Sequence, residues 1–293
     1  MACSLTLGSK FSENGCLFTC GDGSFGQLGH GDYNSHCLPE KVSYMNSRHV
    51  WQVACGMRHS LAIVNDDLGC QVHGFGSGKR GQLGISVDKV RSINVPQAAL
   101  GLDDAKIVSI YADGDHSAAL SDDGRLYTWG RGFSGASDIH IPQCFNANLS
   151  LREAALGWNH ALLLTADSEV FVLGSYGNGV LISPDTNIQR RNRSEESEEG
   201  VISRIPGLGS SKVLQIAAGA EHSALVTDDG SILTWGWGEH GQLGLGDTVD
   251  QSIPQIISFG EEVAAPRFLC EVYCGSGFTY AIRTPVVVDS EIS

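Results

Sequence analysis

Little in this sequence favours a membrane, a nucleic acid or a fibrous chain. No run of eighteen apolar residues occurs anywhere in its 293 residues, so no helix would span a bilayer. Basic side chains are scarce: 19 Lys and Arg face 33 Asp and Glu, a formal charge of −14 that argues against bulk attraction to DNA, RNA or an anionic membrane. Proline is held to 8 while glycine reaches 37, which excludes collagen-like and Pro-rich disordered chains and points to an ordered fold with many special backbone positions. The first ten residues lack the charged and apolar regions of a secretory signal. The nine cysteines therefore read as reduced thiols of a cytoplasmic or nuclear protein. There is no nucleophile elbow, no HExxH and no cluster of metal-ligand spacing, so no catalytic residue, metal or cofactor is expected.

What is present is repetition. One segment runs through an apolar stretch, Gly, two variable residues, His and an alternating apolar run. It is read five times, at 55–64, 112–120, 156–164, 218–226 and 274–282. Its anchors are His59, His116, His160 and His222, with Phe278 in the fifth place. A second segment, centred on Trp-Gly or its equivalent, follows at 17–31, 72–84, 126–135, 170–179 and 232–246. Its structural glycines are read as Gly21, Gly74, Gly130, Gly174 and Gly236.

Asp122-Asp123-Gly124 and Asp228-Asp229-Gly230 supply hairpin turns between the halves. One proline per repeat follows, at Pro39, Pro96, Pro142, Pro206 and Pro254. Proline within a sheet belongs on an edge strand, where its missing N–H needs no partner. A unit of 44 to 62 residues built this way cannot bury its faces alone. With no sustained helical periodicity, the predicted fold class is all-β, a β-propeller of about five four-stranded blades. The chain opens on a Trp-Gly half and closes on a Gly-x-x-Phe half, so these complementary orphans are expected to pair into one blade and close the ring. A single propeller domain is expected over residues 1–285, with a tail at 286–293 and a surface loop at 183–206.

Leu-Tyr-Thr-Trp-Gly and Gly-Gln-Leu-Gly, together with Gly-x-x-His-Ser, resemble the repeat of the regulator of chromosome condensation family, which also contains a plant ultraviolet-B receptor. The resemblance covers residues 16–282 and implies a propeller, usually of about seven blades, where five of each half are counted here. Units three and four depart from it, with Gly135-Ala136-Ser137 and Gly179-Val180-Leu181 in place of Gly-Gln-Leu-Gly. The family's exchange factor implies a Ran-like small GTPase as partner, bound best without its nucleotide. Its acidic, histidine-bearing loops find their local match in Asp113 to His116. The receptor's chemistry uses several loop tryptophans packed with arginines. This chain has one such loop, Gly157-Trp158-Asn159-His160, while Trp129 and Trp235 fall on strand positions.

Gly-x-Gly-x-x-Gly occurs twice, from Gly21 and from Gly236, but inside β repeats and followed by Gln-Leu-Gly, so its glycines read as turn residues rather than a dinucleotide site. The four repeat histidines read as structural, each donating a ring N–H within its own blade. The loops entering them form the expected recognition surface, with Arg58, Asp113, Asp115, Trp158, Asn159 and Glu221 as partner-binding candidates. Ser194, preceded by Arg190, Arg191 and Arg193, is a candidate phosphorylation site. The function read from the sequence is a non-catalytic protein-interaction module with a protein partner and no small-molecule substrate. The alternatives are guanine-nucleotide exchange on a small GTPase and photoreceptor-like signalling.

Overall fold

The computed structural model describes residues 15–66, 69–133, 137–145, 149–174, 202–260 and 268–285. They form twenty β-strands and one turn of 3-10 helix at Ser43–Met45. The chain divides into two compact units, Met1–Arg152 and Glu153–Ser293. In the first, β1 (Phe18–Gly21) pairs with β2 (His36–Lys41). An antiparallel sheet follows in chain order: β3 (His49–Cys55), β4 (His59–Asp66), β5 (Gly69–Ser77) and β6 (Ser92–Ala98). The next holds β7 (Ile107–Asp113), β8 (His116–Ser121), β9 (Leu126–Gly130) and β10 (Ile139–Phe145). From Leu151 onward come β11 (Leu151–Leu156), β12 (His160–Thr165), β13 (Val170–Gly174) and β14 (Ile202–Arg204) as one sheet. The fourth complete sheet is β15 (Val213–Ala218), β16 (His222–Thr227), β17 (Ile232–Gly236) and β18 (Gln251–Ile256). Last, β19 (Phe268–Cys274) pairs with β20 (Thr279–Pro285).

The apolar runs after each histidine are nearly continuous because these strands are covered on both faces. On β4, Ala62 and Val64 pack with Leu17, Val42, Met45 and Phe75, while Leu61 and Ile63 pack with Ile107, Ile110, Tyr127 and Trp129 of the following sheet. In the second unit Leu162 and Leu164 of β12 meet Val213, Ile216, Leu225 and Trp235, and Ala224 and Val226 of β16 meet Val272 of β19. Each such buried aliphatic side chain contributes about 1.5–3 kcal/mol, so the core is a series of layers between successive sheets.

The prolines mark outer strands, as the sequence implied. Pro39, Pro96, Pro142 and Pro254 lie in β2, β6, β10 and β18, the last strand of each sheet, and Pro206 follows β14. The register slips around each one in the same way. Two residues of the inner strand span four of the outer, as Gly74 and Gly76 do against Gln97 and Ile93. This bulge removes the ladder position where a proline N–H would be missed. At the hairpins, the Ser121 hydroxyl donates to Asp123 at 2.5 Å and Thr227 to Asp229 at 2.6 Å, fixing the turns before Gly124 and Gly230.

One expectation changes. The predicted loop at 183–206 ends in a strand, β14, which completes the third full sheet beside β13. The two orphan halves read from the sequence are each present as a two-stranded sheet, β1 with β2 and β19 with β20. Four sheets are thus complete and two are half-sheets.

Candidate functional site

Register places the loops. In every complete sheet the histidine opening the second strand faces a glycine at or one residue before the end of the third: His59 with Gly76, His116 with Gly130, His160 with Gly174, His222 with Gly236. The loop entering the histidine and the loop leaving the glycine therefore share one end of each sheet, and the Asp-Asp-Gly hairpins occupy the other. Gly21, Gly130, Gly174 and Gly236 all take positive φ at this junction, as does Gly76. The repeat glycine of the second Trp-Gly-type segment, 72–84, is thus Gly76 rather than Gly74. Gly74 stands at the register position of Thr128 and Thr234, where a side chain would run into the Leu83 backbone.

Three of the four repeat histidines reach the next sheet, where a bond within the same sheet was expected. His59 Nε2 meets Ser117 Oγ at 2.9 Å, His160 Nε2 meets Ser223 Oγ at 3.0 Å, and His222 Nε2 meets Thr279 Oγ1 at 3.0 Å. Ser117 and Thr279 in turn donate to the carbonyls of Gln82 and Gln242. Their protons are committed there, so His59 and His222 must be the donors and carry their hydrogen on Nε2. Burial holds the imidazoles neutral, pushing His59 down to about 3 and His222 down to about 4. The Gly-x-x-His spacing follows from packing, since a Cβ at Gly56 or Gly219 would overlap the ring of His59 or His222.

His116 breaks this pattern, and the cause is legible. Its register partner for that glycine is Asp113, not the neighbouring Gly114, so the ring has no room to fold beneath it. His116 Nδ1 instead meets the Arg131 carbonyl at 2.6 Å, and the ring stacks on Phe133 at 4.3 Å. The residue after the next histidine is Ala161, which has no hydroxyl to offer. Burial pushes the Asp113 carboxyl up to about 7, against the opposing hydrogen bond from the Gly114 N–H.

In the first unit the loop end gathers Arg58, Asp113 and Asp115. Met57 N–H donates to Gly114 O at 2.9 Å, tying the two loops together. Arg58, exposed, lies over the Phe25 ring at 4.9 Å. Asp115 accepts from the Gln82 amide at 2.9 Å, and Arg80 faces Asp138 at 3.3 Å. In the second unit Trp158, Asn159 and Glu221 share adjacent loops, joined by Trp158 N–H to Ala220 O at 3.0 Å. Glu221 O accepts from Trp237 N–H at 2.8 Å, and Trp237 meets His240 edge-on at 4.6 Å. Trp129 and Trp235 are fully buried strand residues. Ser194 lies outside the described residues. Among the described residues, no three His, Cys, Asp or Glu side chains gather into a metal site.

Two sets of glutamines escaped the sequence reading. In each Gly-Gln-Leu-Gly stretch the Gln side-chain oxygen accepts a backbone N–H two residues earlier: Gln27 from Phe25, Gln82 from Arg80 and Gln242 from His240, each at 2.9 Å. Gln52 and Gln215 act between sheets. Gln52 takes Ile110 N–H at 3.0 Å and gives to Ile110 O at 3.1 Å, while Gln215 holds both backbone groups of Val272 at 2.9 Å. The available signal was a polar residue four before the glycine in two otherwise apolar strands, Gln-Val-Ala-Cys-Gly and Gln-Ile-Ala-Ala-Gly.

Comparison with known proteins agrees with this architecture. The chain is 27% identical over 281 residues to the ultraviolet-B receptor UVR8 of Arabidopsis thaliana, covering 93% of the chain and 60% of the receptor. It is 30% identical over 314 residues to the secretion-regulating guanine nucleotide exchange factor of Bos taurus, covering 96% of the chain and 63% of that protein. It thus spans about three fifths of the length of these curated relatives. Among solved structures, human WBSCR16 superposes with a TM-score of 0.75 at 24% identity, over 94% of the chain and 69% of that protein. Prp20p of Saccharomyces cerevisiae, described with its binding properties to Gsp1p and histones, gives 0.72 at 24% identity, over 94% and 66%. These likenesses establish the β-propeller fold of the sheets described above. A family profile, that of the RCC1-like domain, matches residues 4–281, and the chain belongs to the RCC1-like domain family.

Proposed function

We propose that this chain is a non-catalytic protein-interaction module, one propeller domain over residues 1–285 that recognises a protein through the loop end of its sheets. Labour is divided inside each Gly-x-x-His segment. The shared histidine and the strand after it are buried, whereas the residues that differ from repeat to repeat are exposed or half-exposed: Arg58, Asp115, Trp158, Asn159 and Glu221. Backbone bonds pin those loops, so partner choice rests with side chains held on a rigid frame. Cytoplasm or nucleus suits the eight free cysteines among the described residues. Affinity capture with the whole chain should retain a partner that a combined Arg58→Ala, Asp115→Ala, Trp158→Ala variant loses. Identical capture by a folded variant would place recognition elsewhere.

Nucleotide exchange on a small GTPase is a second reading, supported by the acidic loop of Asp113, Asp115 and His116 and by likeness to an exchange factor. Exchange needs no bond chemistry, only tighter binding of the nucleotide-free GTPase. Release of fluorescent GDP from a panel of small GTPases should then accelerate, and Asp115→Ala should reduce the effect by at least about tenfold, the cost of removing one charged contact. No acceleration across the panel leaves the interaction module alone.

A further inference from the structure

The loop that leaves Gly76, between β5 and β6, reverses the charge of the molecule that carries it. Four of the chain's 19 basic residues, Lys79, Arg80, Lys89 and Arg91, lie on it against one acid, Asp88, in a chain of formal charge −14. All four are exposed, and Val87 between them is 69% exposed. Two equivalent loops carry the opposite sign. The one after β1 holds Asp22 and Asp32, the one after β17 holds Glu239, Asp247 and Asp250, and neither has a Lys or Arg. A side chain at Gly78 or Gly238 would meet the carbonyl of Val90 or Val249, which aligns Lys79 with Glu239 and Arg91 with Asp250.

The repeat does not require these cations. Backbone and Gln82 hold the turn: Gly78 N–H donates to Arg91 O at 3.1 Å, Gly81 N–H to Gly78 O at 2.9 Å, and Gln82 takes the Arg80 N–H at 2.9 Å. Of the four, Arg80 alone uses its charge inside the fold, facing Asp138 at 3.3 Å. Lys79, Lys89 and Arg91 enter no ion pair among the described residues. Charges that stabilise nothing nearby and share one pinned loop form a positive patch able to steer and select a partner.

We propose that this loop docks an acidic segment of a protein partner, its carboxylates at Lys79, Lys89 and Arg91 and an apolar residue against Val87. This rests on the loop end being the recognition face and names the chemistry recognised there. Nucleic acid or an anionic membrane presents phosphates along a broad front. Asp22 and Asp32 oppose such a front, because their loop packs against Asn94 of β6 through Gly26 and Gly31. A short peptide segment meets the basic loop alone.

Fluorescence anisotropy of the whole chain with a labelled Glu-rich peptide containing interspersed Leu, and with its Gln-for-Glu counterpart, tests this. The acidic peptide should bind, more weakly as salt rises, and the neutral one should not. Combined Lys79→Glu, Lys89→Glu and Arg91→Glu should keep the melting temperature and weaken binding by at least about tenfold. The same number of reversals at the hairpin ends, Lys106→Glu, Arg125→Glu and Lys212→Glu, should weaken it far less. Equal weakening by both variants would show attraction to net charge alone and overturn the proposal. No binding by the parent, equal affinity for the neutral peptide, or tighter binding of an oligonucleotide of matching charge does the same. Binding that emerges only once Glu195, Glu196, Glu198 and Glu199 are changed to Gln assigns the loop to the chain's own acidic segment and equally overturns it. The two readings fail separately: a captured partner that the Arg58, Asp115 and Trp158 variant loses but the Lys79, Lys89 and Arg91 variant keeps overturns this one and leaves the recognition face standing.

Discussion

At the residue scale, a missing methyl group decides where a ring can lie. Gly219 leaves the space into which His222 folds, so Gly219→Ala should force the imidazole out, break its bond to Thr279 and cost about 2–4 kcal/mol, read as a lowered urea midpoint. Asp113 is the natural experiment: with a side chain at that position, His116 turns to Arg131 and Phe133. Its carboxyl carries a pH signature of its own. The unfolded carboxyl releases its proton near 3.8 and the folded one near 7, so the folded state binds the extra proton across that window and stability falls as pH rises through it. Asp113→Asn should therefore stabilise the protein above pH 7, by on the order of a few kcal/mol, and change little near pH 4. Thermal melts at both pH values decide it; equal shifts at both would deny the burial argument. The Gly-x-x-His spacing was plain in the sequence. The direction of each histidine's bond was not, because the acceptor lies 57 to 63 residues downstream on another sheet.

At the scale of elements, sheets hold one another through side chains that imitate backbone. Gln52 satisfies both the N–H and the carbonyl of Ile110, as a neighbouring strand would. Gln52→Leu should leave that half-buried pair unsatisfied and cost about 2–3 kcal/mol, whereas Gln52→Glu keeps one acceptor and should lose less at acidic pH, where the carboxyl can donate. Chemical denaturation of the variants measures both. Strands, hairpins and edge prolines were readable because each follows from local chemistry: alternation, Asp-Gly turns, the absent proline N–H. β14 was not readable, since three residues, Ile202–Arg204, make too short a pattern beside a polar stretch. Gly74 was misassigned for a related reason. Two glycines two apart in Gly74-Phe75-Gly76 satisfy the same string, and register alone separates them.

Across the whole molecule, the buried histidines set an acid limit. An unfolded imidazole takes its proton near 6.5, whereas folded His59 waits until about 3 and His222 until about 4, so stability drains as pH falls below 6.5. Each ring costs about 1.4 kcal/mol per pH unit within its window. Phe278 lies beneath Gly275 as the histidine rings lie beneath theirs, so His222→Phe keeps the shape without the titration. It should lower stability at pH 8 through loss of the Thr279 bond, yet flatten the decline between pH 6.5 and 4. A pH series of melts that runs parallel to the parent would refute the assignment. The all-β repeat architecture was legible at this scale from five coordinated strings, and the two half-repeats at the ends were legible from the order of those strings. The His–hydroxyl contacts also impose a grammar on recombination. The hydroxyl that serves one histidine is encoded by the following repeat, immediately after that repeat's own histidine, as Ser117, Ser223 and Thr279 show. A transplanted repeat with the Gly-x-x-His spacing would therefore keep its histidine bond only upstream of a host segment carrying Ser or Thr there, whereas one built like the His116 repeat, which Ala161 follows, is free of the rule, a compatibility check that needs one codon at each junction.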